Sequence, residues 1–111
     1  MTYSIAFALC GLFLCQTAAN ADPFRERLEI LVEDTGTCYK HEAQSKKLDK
    51  VDIDTAVYAV MARCVEPRER YKAFVARNFY GNPIQFEAYW SERDAKAMMY
   101  IKQMLALIRT Q

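Results

Sequence analysis

Four cysteines and a single histidine are the residues of this chain best suited to covalent or metal-dependent chemistry. Cys38 and Cys64 lie in the polar part of the chain, and the other two cysteines lie in an apolar N-terminal stretch. That stretch has the features of a cleaved export signal, so two cysteines remain in the mature chain, and an even number in an exported chain indicates a disulfide. We therefore predict a Cys38–Cys64 bond, worth about 3.5 kcal/mol for a loop of about 27 residues. Two free thiols or an intermolecular bridge are the alternatives.

A metal site is the competing chemistry for the same region. Cys38 and His41 have the spacing C-x-x-H, and His41 is the only histidine. Structural zinc needs four ligands, mainly cysteine and histidine, and covalent haem attachment needs C-x-x-C-H. Once Cys38 and Cys64 are paired, too few ligands are left for either site. We predict no metal and no cofactor, with His41 exposed to solvent.

Groups able to perform catalysis are sparse. The sequence contains no G-x-S-x-G, H-E-x-x-H or glycine-rich phosphate loop. With one histidine and no free thiol, a nucleophilic triad lacks its parts. Asp52 and Asp54 are close enough in sequence to act as an acid–base pair, but their positions suit helix capping. We predict no catalytic residue and a protein that is not an enzyme.

The charge pattern argues against a nucleic-acid partner. Fifteen Lys and Arg residues face fourteen Asp and Glu residues, a formal net charge of +1. Basic residues gather around Pro67, but they scatter around the helical wheel, and Glu66 and Glu69 lie among them. A phosphate-binding face requires aligned basic side chains without intervening carboxylates. The basic residues are Arg63, Arg68, Arg70, Lys72 and Arg77.

Aromatic and methionine side chains near the C-terminal third are the best candidates for a binding surface. Tyrosine and tryptophan anchor many protein interfaces, and methionine adapts its shape to a partner. We expect either a protein partner or a second copy of the chain, and no small-molecule ligand. The alternative is that these residues form a satellite core beneath the last helix. The candidate binding patch comprises Phe79, Tyr80, Tyr89, Trp90, Met98 and Met99.

Apolar residues recur at the helical period from residue 22 onwards, and no strand-like alternation of any length appears. The first helix is predicted to start at Asp22, with Pro23 in its first turn. Its apolar stripe continues to about Lys47, and Gly36 is a point at which the helix bends or breaks. The polar stretch over residues 45–52 is predicted to be a loop.

A second helix is predicted after this loop, capped by Asp52 or Asp54. Its apolar face runs to Cys64 and continues beyond Pro67 to Phe79, which favours a kinked continuation over a new helix. The disulfide would then join the first helix to the second across the loop.

The C-terminal part is predicted to contain a turn and two further helices. Residues 80–83 form the turn, with Gly81 supplying a left-handed conformation. A short helix over 84–90 and a long helix over 92–109 follow, the latter capped by Ser91. The apolar residues of the long helix cover roughly half of its wheel, so it faces a core, a partner helix or a membrane surface.

These elements predict an all-α fold in one small domain. The chain has 111 residues, of which 52% are hydrophobic, enough for a single core. The predicted architecture is a bundle of three to four helices over residues 22–111: a disulfide-stapled helical hairpin with a long C-terminal helix packed over it.

Residues 1–21 are predicted to be a cleaved signal peptide. The uncharged run over residues 5–15 is too short for a bilayer, which needs about 20 residues. Ala19 and Ala21 supply the small residues that a signal peptidase requires before a cut after Ala21. The protein is therefore expected in the periplasm or outside the cell, with an uncleaved membrane anchor as the alternative.

The export signal, a cysteine in the first helix, the Asp52-Ile53-Asp54 cap and the helix ending in Cys64 resemble small helical envelope proteins of proteobacteria. Size and a single disulfide are also similar to HdeA-type acid-stress chaperones of the periplasm, whose cysteines lie further apart in sequence. Such envelope proteins are mostly uncharacterised, so the resemblance implies little about function. The aromatic and methionine surface and the lack of catalytic groups predict a non-enzymatic binding protein of the cell envelope, with a chaperone or an inhibitor or immunity protein as alternatives.

Overall fold

The computed structural model describes residues 22–111, which form four α-helices and contain no strand. The predicted all-α bundle is therefore confirmed. The predicted signal peptide lies outside the described residues, and none of the helices described is long and apolar enough to cross a membrane. The helices are α1 (Pro23–Ala43), α2 (Ile53–Arg63), α3 (Val65–Arg77) and α4 (Pro83–Arg109).

The four helices pack as three rods, because α2 and α3 follow each other almost end to end and together form one rod. At one end of the bundle the ring of Phe24 in α1 stacks on Phe74 in α3, with centroids 5.2 Å apart. At the other end Arg109 of α4 donates a hydrogen bond of 2.8 Å to the carbonyl oxygen of Leu48, in the short 3-10 turn Lys46–Leu48 before α2. The α2–α3 rod thus runs antiparallel to both α1 and α4.

The helix starts follow capping rules that are visible in the sequence. Asp22 accepts a hydrogen bond from the Phe24 amide at 3.0 Å, and Asp52 accepts one from the Thr55 amide at 3.3 Å. Both residues occupy predicted cap positions. Because each satisfies an otherwise unpaired amide of the first turn, it fixes where its helix begins.

Two predicted interruptions are absent or displaced. Helix α1 continues through Gly36 to Ala43 without a break. The α2–α3 rod is interrupted at Cys64, three residues before Pro67. The reason is that Pro67 has no amide hydrogen and its ring excludes the carbonyl of Arg63, four residues earlier.

The predicted division of the C-terminal segment at Ser91 is wrong, because α4 is one helix of 27 residues. Its start is set by Asn82, which accepts a hydrogen bond from the Gln85 amide at 2.8 Å. The Gln85 side chain accepts one from the Asn82 amide at 3.0 Å, which completes a capping box. Gly81 precedes this capping box with φ +153°, a backbone conformation that residues with a side chain rarely adopt.

The core lies mainly between α2, α4 and the C-terminal half of α1. Ile101 and Leu105 of α4 are fully buried against Val60 and Cys64. The predicted Cys38–Cys64 disulfide is present, with a Cα–Cα distance of 5.9 Å, and it joins α1 to the junction of α2 and α3. The predicted stapled hairpin is thus confirmed.

Candidate functional site

The aromatic residues of the predicted binding patch have different surroundings. Trp90 is buried, with 6% of its surface exposed, and its ring packs edge-on against Tyr71 at 5.1 Å. Phe79 is half-buried beside Tyr89, with ring centroids 5.6 Å apart. Only Tyr80 and Tyr89 are exposed. Part of the aromatic cluster is therefore packed core, as the alternative interpretation expected.

The methionines of the predicted patch lie elsewhere on α4. Met98 is half-buried against the core, whereas Met99 is exposed in a groove next to Tyr58 of α2. Met98 lies nine positions after Tyr89 in α4, which places the two residues about 13 Å apart along the axis. The tyrosine and methionine parts of the predicted patch therefore lie at different levels of the bundle.

The polar residues considered for catalysis are also separated. His41 lies exposed in the last turn of α1, and Asp52 caps α2. Asp54 forms an ion pair of 3.0 Å with Lys102. In the part of the chain that the structure describes, no group of three His, Cys, Asp or Glu side chains is arranged to hold a metal ion.

A cleft of about 370 Å³ lies between α1, α3 and α4, and aromatic and charged side chains line it. On α1 its wall has the spacing i, i+3, i+4, i+7, which places one face of that helix against the cleft. Arg68 and Tyr71 project from α3, and α4 supplies the third wall. The lining residues are Val32, Thr35, Gly36, Tyr39, Arg68, Tyr71, Trp90, Arg93, Asp94, Lys96, Ala97 and Tyr100.

Cationic side chains outnumber carboxylates in this cleft. Arg68 donates a hydrogen bond of 2.7 Å to Asp94, and this ion pair links α3 to α4. Arg93 and Lys96 add two further positive charges from successive turns of α4. Asp94 is the sole carboxylate of the lining, so the described walls carry a surplus of positive charge.

Two tyrosines complete the polar part of the cleft. Burial raises the pKa of Tyr39 above its ordinary value, although the neighbouring Arg68 acts in the opposite direction. Tyr71 lies beside Arg93, and its hydrogen bond and partial negative charge raise the pKa of that guanidinium. Tyr39 is therefore a neutral hydroxyl at physiological pH, and Arg93 is fully charged.

Arg68 has one nitrogen that its neighbours leave unsatisfied. Burial lowers the pKa of Arg68, but the hydrogen bond and charge of Asp94 outweigh it, so the pKa lies above the ordinary value. Its Nε is buried, and within residues 22–111 it has no hydrogen-bond partner. A buried donor of a charged group that lacks an acceptor lowers the stability of a folded protein, so the Nε of Arg68 is an unusual feature of this structure.

Gly36 keeps the centre of the α1 wall open. A Cβ atom built on Gly36 would meet no atom within 4 Å, so neither close packing nor a positive φ requires glycine here. Glycine inside a helix is about 1 kcal/mol less favourable than alanine. Because glycine has no side chain, it leaves free volume in the cleft, although it lowers the stability of the helix.

This cleft was not predicted from the sequence, although the residue pattern of α1 contains an indication of it. The stripe on α1 carries Thr35 and Gly36 between the apolar Val32 and Tyr39, and small or polar residues inside a buried stripe are typical of a gap in packing. Arg68 was grouped with neighbouring basic residues, because only the fold brings it to Asp94.

Comparison with known proteins identifies no relative of this chain. No family model matches this chain, and neither the curated proteins nor the solved structures include a significant match to it.

Proposed function

We propose that this chain is an exported, non-enzymatic binding protein of the cell envelope that holds a small ligand in the α1–α3–α4 cleft. The observation that carries the proposal is the cleft itself: about 370 Å³, lined by aromatic rings and by three cations against one carboxylate. Ligand pockets in proteins are mostly apolar with a few convergent polar groups, and this volume lies near the lower end of their range.

The chemistry of the lining supports binding more than catalysis. Its polar groups are arginine, lysine, threonine and tyrosine, which orient or neutralise a ligand at neutral pH without exchanging protons. Asp94, the one carboxylate, is held by Arg68 at 2.7 Å. A general base needs a free lone pair near the substrate, and the Asp94 oxygen that accepts the hydrogen bond from Arg68 is already engaged.

Two features support an oxidising compartment. Cys38 and Cys64 form a disulfide in the core, and such bonds persist mainly outside the cytoplasm. Residues 1–21 carry the features of a signal peptide. Together they favour the periplasm or the secreted space.

The test is native mass spectrometry of the protein isolated from the envelope of its own cells. We expect a chain that begins at Asp22, lighter by two hydrogen atoms than its reduced form. We also expect an additional small mass that disappears on denaturation. An unprocessed and reduced chain would contradict the proposed compartment, and a chain without any bound small molecule would contradict the proposed function.

A protein partner is the second candidate, in the form of a second copy, a client of a chaperone or the target of an inhibitor. It is favoured by Tyr80 and Ile84, which are 100% and 81% exposed at the turn between α3 and α4. In the same mass experiment this alternative would appear as a dimer or as a complex with another chain. Replacing both residues by serine would then return the protein to a monomer.

A further inference from the structure

We infer that the cleft is selective for an organic anion with a planar aromatic body of one or two rings and a single carboxylate. This inference rests on the proposed function and specifies the ligand class of the same site. Three groups of observations support it: whether each cation is already paired with a carboxylate, the chemistry of the remaining wall, and the space beside Gly36.

Arg93 is the cation best placed to receive the acid group. Among residues 22–111 it forms no salt bridge; its strongest polar neighbour is Tyr71, and the charge of Glu92 has a smaller effect. Arg68, in contrast, is already neutralised by Asp94 at 2.7 Å. Because a guanidinium binds a carboxylate through two parallel hydrogen bonds, Arg93 favours a carboxylate over a neutral polar group.

Lys96 supports Arg93 from the next turn of α4. Residues three apart on a helix lie on the same face, so both cations border the same part of the cleft. Lys96 pairs with Glu92 at 3.3 Å, but both side chains are more than 60% exposed. Such an exposed pair is weak, so the ammonium group is free to turn towards an anion in the cleft.

The rest of the wall fits an aromatic body. Tyr71 and Trp90 meet edge to face at 5.1 Å, and Tyr39 and Tyr100 add two more rings. Aromatic pairs of this kind gain from offset or edge-on contacts with a further ring. A sugar or a highly charged phosphate ester would leave its hydroxyls or additional charges against this apolar surface, which disfavours those classes.

Gly36 sets the depth available to the aromatic body. Since a Cβ at this position meets no atom within 4 Å, a larger side chain has room there and projects into the cleft. The variant Gly36→Leu therefore blocks the part of the cleft beside α1 while favouring the helix, because leucine is a better helix former than glycine. Thr37→Leu adds the same side chain at an exposed position outside the cleft and is the matched control.

The experiment compares two probes of the same shape, naphthoate and its neutral amide, naphthamide. Binding is measured by calorimetry and by the fluorescence of Trp90, the only tryptophan of the chain. We expect naphthoate to bind at least about tenfold more tightly than naphthamide, and added salt to weaken naphthoate alone. Arg93→Gln should abolish this preference and leave the affinity for naphthamide within about twofold.

Gly36→Leu should abolish binding of both probes without lowering the midpoint of unfolding, whereas Thr37→Leu should bind both normally. Equal affinity for the two probes, or a preference that survives Arg93→Gln, would overturn the assignment of the carboxylate. Failure of both probes to bind the unmodified protein would overturn the aromatic ligand class. None of these results decides the proposed function, which depends on the small mass that accompanies the protein from its own compartment.

Discussion

Arg68 and Asp94 form the shortest ion pair among residues 22–111. Their 2.7 Å hydrogen bond joins α3 to α4, and the Arg68 side chain is only 18% exposed. A charge in such a position depends on its partner, because water does not replace the lost contact in full. The Lys96–Glu92 pair, by comparison, lies within α4 with both side chains open to solvent.

Asp94→Asn should therefore lower the free energy of unfolding by about 1–3 kcal/mol, because it leaves the Arg68 guanidinium partly buried without a counter-charge. Glu92→Gln is the matched control and should change stability by less than about 0.5 kcal/mol. Denaturant unfolding of both variants measures the difference. Equal losses would show that the Arg68–Asp94 pair is no more important than a surface pair.

Tyr39 should make stability depend on alkaline pH. Its pKa in the folded protein lies above the ordinary value for tyrosine, chiefly because of burial, so the folded state retains the phenol proton to higher pH than the unfolded state. The stabilisation is fully present below about pH 10 and is lost as the pH rises through the folded pKa. Tyr39→Phe should flatten this alkaline decline in unfolding experiments. Tyr80→Phe, at a fully exposed tyrosine, should leave the decline unchanged.

Individual residues were predictable where their chemistry is local or exclusive. Cys38 and Cys64 were assigned to a disulfide because no other cysteine was expected in the processed chain. Arg68 could not be assigned to one cleft with Arg93 and Asp94, because it lies on α3 and they lie on α4, and sequence spacing does not determine which helix faces meet. Gly36 was recognised as unusual, but its role depends on the empty space in front of it.

Helix types and most caps were predictable, but the continuity of α4 was not. Ser91 followed by Asp94 resembles a capping box and predicted a helix start there, whereas the Asn82–Gln85 box that begins the helix was not predicted. The earlier box is stronger because Asn82 follows the turn at Gly81 and precedes a proline at the first helical position. Ser91 has no comparable reason to interrupt a helix whose neighbouring Trp90 is buried.

Two alanine substitutions distinguish these helix starts. Asn82→Ala should lower the free energy of unfolding by about 1 kcal/mol, because the first turn of α4 loses a hydrogen-bond acceptor. Ser91→Ala should be neutral or slightly stabilising, because alanine is the better residue inside an exposed helix. Denaturant unfolding is the measurement. A larger loss at Ser91 than at Asn82 would mean that α4 is divided in solution.

The whole molecule combines a modest core with one covalent bond between its rods. The buried cluster centres on Val60, Cys64, Ile101 and Leu105, whereas α3 has no fully buried residue. The disulfide at the α2–α3 junction therefore lies at the boundary between the well-packed half of the bundle and the half that contains the cleft. A small domain has a total stability of only about 5–15 kcal/mol, so one cross-link is a large fraction of it.

Loss of the Cys38–Cys64 bond should lower the free energy of unfolding by about 3.5 kcal/mol, since the two cysteines are 26 residues apart and the cross-link restricts the unfolded chain. The measurement is denaturant unfolding of the protein with and without a thiol reductant. The reduced protein keeps the packing of the fully buried Cys64 side chain, so it isolates the cross-link. The Cys38→Ala/Cys64→Ala double variant should lose more, because it also leaves a small cavity. Identical unfolding midpoints for the oxidised and reduced protein would show that the helices hold together without the bond.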